Sequence, residues 1–394
     1  MHFFRKRGHN LKNINKISIS YLFLSLGAAA VSTIWAIFLE SIIHNSSLVG
    51  FLSTFFSVVG FLSYLILIPI VEKYNKTKLV IFSLLLFVIS YSIFAFYTNF
   101  YLVIILGTIL SIVASLRITA FGILVRDKTS NQDVSKNEAT IYTLLNLAWL
   151  VSPLIAGYIA QKYGFGPVFI LTSALALLST FSFAFFKIKD NRKTKKIDYN
   201  VFKPLVSFFS KKERTIIYLL HGAVNFWWAL IYIYIPIYLV DNGYQNFLVG
   251  LFLSIIVLPL VFLESFFGKI ASKKGFKKLF FIGYFIVGVL SFLSFFMPNI
   301  YYVLILLVLA SVGVSMLEPT TEAYFFDIIK ESQRDKYYGI YNTAVDTGHL
   351  LGTFSSAILL LFFPFKYLFI LFAIVMFIML FLSRLIKEVI ESRR

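Results

Sequence analysis

Residues 99–106 read Asn99-Phe100-Tyr101-Leu102-Val103-Ile104-Ile105-Leu106, and residues 299–306 read Asn299-Ile300-Tyr301-Tyr302-Val303-Leu304-Ile305-Leu306. Asn, Tyr, Val, Ile and Leu recur at the same places, 200 positions apart, with no gap. The same offset pairs Leu48-Val49-Gly50 with Leu248-Val249-Gly250, Asp127 with Asp327, and Phe169-Ile170-Leu171 with Phe369-Ile370-Leu371. A register held over so much of the chain means that the second half repeats the first. The fold is therefore expected to be two similar bundles, and parallel repeats of this kind are a transporter architecture, in which two pseudo-equivalent bundles rock about a site between them.

The repeat unit belongs in lipid. The chain is 59% hydrophobic and 14% charged, with a mean hydropathy of +0.85, far more apolar than the surface of a water-soluble domain tolerates. Its apolar runs of about 20 residues suit helices, whereas a closed β-barrel needs short alternating segments. Twelve spans are expected, near 17–40, 47–70, 79–97, 100–125, 138–160, 167–187, 215–240, 247–270, 278–297, 300–327, 338–361 and 366–386. The fold class is thus an all-α polytopic membrane protein of two pseudo-symmetric six-helix bundles. Its expected domains are a cytoplasmic tail over 1–16, a first bundle over 17–187, a basic cytoplasmic linker over 188–214, a second bundle over 215–386 and a tail over 387–394.

Charge sets the orientation. All of the 36 Lys and Arg residues except Lys162, Lys366 and the intramembrane Arg117 fall on one side of this layout, so the positive-inside rule places both termini in the cytoplasm. The net charge of +18 is then topology, and no nucleic-acid partner is implied. The expected location is the cytoplasmic membrane of a prokaryote, the expected state a monomer. Cysteine is absent, which removes disulfides, thiol catalysis and thiolate metal sites. No metal or cofactor is expected.

Small residues four apart recur under the offset: Ala148, Ser152 and Ala156 answer Gly348, Gly352 and Ser356, and Ser111 and Ser115 answer Ser311 and Ser315. Such stripes let helix backbones approach closely in lipid. They serve either simple packing or faces that slide as the bundles rock.

The loop after the eighth span, Gly268-Lys269-Ile270-Ala271-Ser272-Lys273-Lys274-Gly275-Phe276-Lys277-Lys278-Leu279, resembles the G-x-L-A-D-R-x-G-R-R signature of the major facilitator superfamily, with Ser272 in place of its Asp. The first-half counterpart, Ile70-Val71-Glu72-Lys73-Tyr74-Asn75-Lys76-Thr77-Lys78-Leu79, keeps an acid at Glu72 but lacks the glycines. In the fifth span, Ser152-Pro153-Leu154-Ile155-Ala156-Gly157 is similar to the G-P-x-x-G-G segment of antiporter branches, and Arg117 is similar to the fourth-span Arg of the family, with Gly122 one residue late. The resemblance implies a cavity lined by the first, fourth, seventh and tenth spans. It also implies a cytoplasmic gate at the two loops, with Glu72, Lys73, Gly268, Ser272, Lys273 and Gly275 in the gate motifs.

Charges inside spans cost about 2.5–3.5 kcal/mol each on insertion scales, so each needs a partner, water or a function. Arg117 and Glu318 fall at nearly equal depth in pseudo-equivalent spans and could face each other across the cavity as a proton switch. Glu318 and Glu322 share a helix face, with Pro319 between them bending the helix. Two close carboxylates tend not to ionise together, so a shared proton is one expectation and an ion pair with Arg117 or a cytoplasmic Lys the other. Asp346 aligns with Asn146, an acid in one half against a neutral group in the other. His221 and His349 either titrate or make a helix-to-helix hydrogen bond. Trp35, Asn225, Trp227, Trp228 and Tyr232 place aromatic and amide surface on the first and seventh spans, suited to a lipophilic, aromatic or cationic solute if it faces the cavity.

These features favour a secondary active transporter, exporting a small amphipathic or drug-like compound in exchange for protons. Proton-coupled import of a nutrient is the alternative. From other classes, a membrane enzyme acting on lipid substrates finds none of the usual catalytic motifs, and a transporter-like sensor finds no appended soluble domain. No nucleotide-binding segment is present, so the energy comes from a gradient of the solute or of an ion, protons or sodium.

Overall fold

The computed structural model of the protein describes residues 2–128, 134–186, 202–330 and 333–389. Helices dominate, as the apolar runs require. They are α1 (His2–Ile43), α2 (Ser46–Lys73), α3 (Lys76–Phe96), α4 (Phe100–Lys128), α5 (Val134–Tyr163), α6 (Phe165–Phe185), α7 (Phe202–Phe209), α8 (Lys212–Ala229), α9 (Ile235–Asp241), α10 (Asn246–Ile255), α11 (Leu258–Lys274), α12 (Lys277–Ser294), α13 (Ile300–Ile328), α14 (Arg334–Phe362) and α15 (Tyr367–Ser383). Eleven stretches are long and apolar enough to cross a membrane, and the shorter apolar helix Tyr367–Ser383 is the twelfth.

Two spans are broken where the sequence places proline. In the seventh, Pro236 has no N–H, so the Tyr232 carbonyl loses its helical donor. The backbone widens just before it into a π turn, Leu230–Tyr234, with the Ile235 N–H donating to the Leu230 carbonyl. In the eighth, Pro259 sits in the first turn of α11 and separates it from α10. Neither break is part of the continuous spans expected from hydropathy. The stretch expected as a linker carries the short helix α7 before α8 begins.

The duplication is visible in caps and in packing. Asn99 Oδ1 accepts from the Tyr101 N–H at 2.9 Å, and Asn299 Oδ1 accepts from the Tyr301 N–H at 2.9 Å. The repeated Asn-x-Tyr is thus an N-cap signal, an asparagine side chain satisfying an orphan amide at the helix start. In one half α1 packs on α5 and α6, and α3 on α4 and α6; in the other α8 packs on α14 and α15, and α12 on α13 and α15.

The chain divides into two compact units that exchange segments. The first comprises Met1–His44, Phe55–Ile197 and Gly243–Ser254; the second comprises Asn45–Thr54, Asp198–Asn242 and Ile255–Arg394. In the first, Gly250 of α10 lies against Gly157 of α5, where a Cβ on Gly157 would come within 2.9 Å of the Gly250 Cα. In the second, Ser47 of α2 donates to the Ala357 carbonyl at 2.7 Å and Thr54 to Thr353 at 2.9 Å.

The small-residue stripes pack helices within each unit. Ser152 is buried and its hydroxyl donates to the Leu26 carbonyl on α1 at 2.6 Å. Its counterpart Gly352 sits over the equivalent carbonyl, Phe226 on α8, where a Cβ would come within 2.8 Å. Ser115 likewise ties α4 to α2 through the Gly60 carbonyl at 2.9 Å.

Candidate functional site

The second unit gathers most of the membrane-embedded acids and aromatics. Trp228, near the end of α8, donates its indole N–H to Glu318 Oε2 on α13 at 3.3 Å. Tyr232, in the π turn, places its ring 5.4 Å from that of Trp228 and lies beside Glu318. Trp227 is fully buried and braces Trp228 edge-on at 5.1 Å, so it supports the site from behind rather than facing solvent. Counting along α13, Glu318 is about 15 Å from the Ile328 end, in the middle part of an apolar helix long enough to cross a membrane.

One turn along α13, Glu322 accepts from the Tyr338 hydroxyl on α14 at 2.6 Å. Glu318 and Glu322 thus take donors from different helices, Trp228 on α8 and Tyr338 on α14. Neither forms an ion pair among the described residues. Between them lies Thr321, whose hydroxyl is 3.1 Å from His221 Nδ1. The His221 ring stacks on Tyr341 at 4.7 Å, which is the helix-to-helix hydrogen-bonded histidine of the second expectation. Asn225 donates to the His221 carbonyl at 3.2 Å, within its own helix.

Asp346 is half-buried on α14 and makes no hydrogen bond or ion pair among the described residues. With His349 it continues the helical line of Thr353 and Ala357, the two positions that Thr54 and Ser47 of α2 hydrogen-bond.

The remaining candidates belong to the first unit or to loops. Arg117 reaches over the Phe87 ring at 5.7 Å, close to Tyr91, and its Nε is buried without a hydrogen-bond partner. Among the described residues of its own unit it is held by aromatic faces and pairs with no carboxylate. Trp35 is packed among Phe38, Phe56 and Phe94, with centroid distances of 5.9, 6.3 and 5.7 Å. That is an interior cluster of the first unit. Asn146 is half-buried on α5, about two turns from Ser152 and Pro153. At the loops, Lys73 is exposed with its ammonium 5.7 Å from the Tyr74 ring, Lys273 is exposed, and the Glu72 side chain lies outside the described residues. Gly268 lies within α11, and Ser272 donates back to the Lys269 carbonyl at 3.1 Å.

Three partners escape a reading of the sequence. Tyr338, Thr321 and Tyr341 are ordinary residues by type, and Tyr338 is linked to Glu322 only through the turn between α13 and α14. A further pair, Tyr218 with Thr343 and Thr347 at 3.1 and 2.8 Å, ties α8 to α14. Its one trace in the sequence is two threonines four apart.

A protein-family model described as Major Facilitator Superfamily matches residues 17–275 and again residues 228–393. A curated relative from Methanocaldococcus jannaschii, described as an uncharacterised MFS-type transporter, is 25% identical over 223 residues, 55% of this chain and 56% of the relative. The chain thus spans about half the length of the curated relative it matches. Two solved structures have the same fold. One, described as a POT family transporter in complex with 5-aminolevulinic acid, has a TM-score of 0.79 at 11% identity and covers 94% of this chain and 95% of its own. The other, described as a POT family transporter in complex with a thioalcohol-conjugated peptide, has a TM-score of 0.77 at 12% identity, with 94% and 95% covered. With twelve apolar helices in two repeated halves and a family match over nearly its whole length, the chain belongs to the Major Facilitator Superfamily of membrane transporters.

Proposed function

We propose that the protein is a secondary active transporter that exports a small amphipathic solute in exchange for protons, with Glu318 as the proton-carrying group. The observation that carries this reading is the setting of Glu318. It is a carboxyl group deep in a span, with an indole N–H as its hydrogen-bond donor and no cation paired to it among the described residues. Ionised in hydrocarbon, such a side chain costs about 2.5–3.5 kcal/mol, and a proton or a cationic ligand removes that cost. Trp228 and Tyr232 provide the adjoining surface for an apolar or cationic solute through stacking and cation–π contact. Solute and proton then compete for one carboxylate, which is the chemical basis of exchange. Asp346, without a hydrogen-bond or ion-pair partner among the described residues, is the second acid of the path, and Arg117 the cation of the other bundle. Both termini lie in the cytoplasm, the membrane is the cytoplasmic membrane of a prokaryote, and a monomer suffices.

A second reading is proton-coupled import of an amino-acid-like or peptide-like solute. The ligands named for the two fold neighbours support it.

Proteoliposomes with an imposed pH gradient and an internal pH dye distinguish the readings. Ethidium, 5-aminolevulinic acid and a dipeptide are offered in turn to wild type, Glu318→Gln and Arg117→Ala. Antiport gives proton movement opposite to ethidium and none in Glu318→Gln. Protons moving together with 5-aminolevulinic acid or the dipeptide instead establish the second reading. Solute movement without proton movement refutes proton coupling, and full coupling in Glu318→Gln refutes the role of that residue.

A further inference from the structure

From Lys187 to Arg214 the sequence holds ten Lys and Arg against three Asp and Glu, and within this stretch lies α7 (Phe202–Phe209). One face of α7 is docked. Phe208 is fully buried, its ring 5.8 Å from that of Tyr337 on α14 and 6.2 Å from that of Tyr218 on α8, and the hydroxyls of Ser207 and Tyr337 are 2.8 Å apart. Arg214 fixes the corner: its guanidinium lies 4.3 Å over the Tyr337 ring and donates to the Ser207 carbonyl at 3.2 Å. The Thr215 hydroxyl donates to the Phe209 carbonyl at 3.1 Å. The short helix is therefore tied to the first turns of both α8 and α14, all in the second unit.

The other face is open and apolar. Leu205, Val206 and Phe209 fall within an arc of about 100° and are 37%, 69% and 39% exposed. The position of α7 decides what meets that face. Both of its anchors begin spans, since Lys212–Asp241 and Tyr337–Phe362 are long and apolar enough to cross a membrane. The Phe209 ring lies 5.0 Å from that of Tyr218, which is six residues, or about 9 Å, along α8 from Lys212. A helix lying flat on a bilayer buries its apolar face about 5–10 Å into the boundary between headgroups and acyl chains, so the rings of α7 reach the depth that such a helix occupies. At the corner between α7 and α8, Lys211 and Lys212 are exposed and form no ion pair among the described residues. The adjoining acid, Glu213, is held by Lys387 at 2.8 Å.

We infer that α7 is a lipid-binding helix lying in the membrane interface: Leu205, Val206 and Phe209 enter the acyl boundary of the leaflet at the Lys212 end of α8, and Lys211 and Lys212 hold the phosphates of anionic lipid. Ammonium groups at that level meet headgroups while the apolar side chains beside them leave water, as in other amphipathic helices that lie on a charged bilayer. Because α7 is tied to α8 and α14, bound lipid holds the ends of both spans. The site is independent of the solute and of the coupling ion.

The chain has no cysteine, so a single spin label can be placed on the full-length protein. Val206→Cys is labelled in nanodiscs of phosphatidylcholine alone or with about 30% phosphatidylglycerol, and its access to oxygen and to a water-soluble nickel chelate is measured by power saturation. Lys273→Cys, at an exposed position near the end of α11, sets the value for water, and Ile89→Cys, at a position 54% exposed on the apolar helix α3, sets that for acyl chains. In anionic nanodiscs the oxygen-to-nickel ratio at 206 should exceed that at 273 by about fivefold or more. Removing the anionic lipid, or combining Lys211→Glu with Lys212→Glu, should raise nickel access at 206 about two- to fivefold. A ratio at 206 equal to that at 273 would put the face in water, and low access to both reagents would put it against protein; either overturns the inference. Nickel access that ignores both lipid charge and the lysine changes would overturn the role of Lys211 and Lys212.

Discussion

Replacing Gly352 by Ser tests the close approach of α14 to α8. In the other half, Ser152 already occupies the equivalent place and donates to Leu26, so Gly352→Ser makes the two halves chemically alike. The structure says that the second half has no room for it. A Cβ at 352 lies 2.8 Å from the Phe226 carbonyl and 2.9 Å from the Ala229 Cβ, so α14 must retreat by the 0.6 Å that separates 2.8 Å from ordinary contact at 3.4 Å. Overpacking of a tight helix contact costs about 1–3 kcal/mol. A new interhelical hydroxyl bond returns about 0.6 kcal/mol in membrane proteins. With about 2–4 °C of melting temperature per kcal/mol for a unit of this size, the expected fall is about 1–10 °C. Intrinsic tryptophan fluorescence in detergent reports it directly, because Trp227 and Trp228 lie on the helix that is pushed. Ser152→Ala, which removes one bond without crowding, should lose only about 1–2 °C. If Gly352→Ser melts at the wild-type temperature or above it, the helices are farther apart than described, and the close-packing argument fails for the second half.

Trp228→Phe keeps the aromatic face and removes the indole donor at 3.3 Å from Glu318, so solute-driven proton flux in proteoliposomes should fall about 2- to 10-fold; unchanged flux would show that Glu318 needs no help from the indole. Tyr338→Phe should destabilise by about 0.5–1.5 kcal/mol, and a double-mutant cycle with Glu322→Gln should show the two effects to be strongly non-additive, whereas additivity would mean that their 2.6 Å bond is absent. Tyr234 is buried and donates to the Thr353 carbonyl at 2.6 Å, so Tyr234→Phe should lower the melting temperature by about 2–4 °C; no change would place the hydroxyl in water.

Much of the fold was legible because hydrophobic length and repetition survive in sequence. Asn99 and Asn299 mark helix starts by chemistry alone, and the spans follow from runs of apolar residues. The proline breaks at 236 and 259 were equally open to reading, yet hydropathy averages over them. The site was legible only by residue type. Glu318, Trp228 and Tyr232 stand out as polar or aromatic groups in apolar helices, but Trp227 and Trp228 are neighbours with opposite fates, one enclosed and one on the acid. Which face of a helix points where depends on packing partners far along the chain. Tyr338 and Thr321 carry no signal until α14 and α8 are seen beside α13.

The exchange of Asn45–Thr54 and Gly243–Ser254 between the two units constrains how the protein is made. A ribosome delivers the first six spans before the seventh exists. At that moment the first unit lacks the α10 segment that packs against Gly157, and the start of α2 has nothing to cover. The first unit is complete only once the eighth span has begun to insert, and the second only with the last span. Half-proteins cut in the middle of the chain should therefore each be short of a piece held by the other, and should mature only when synthesised together in one membrane.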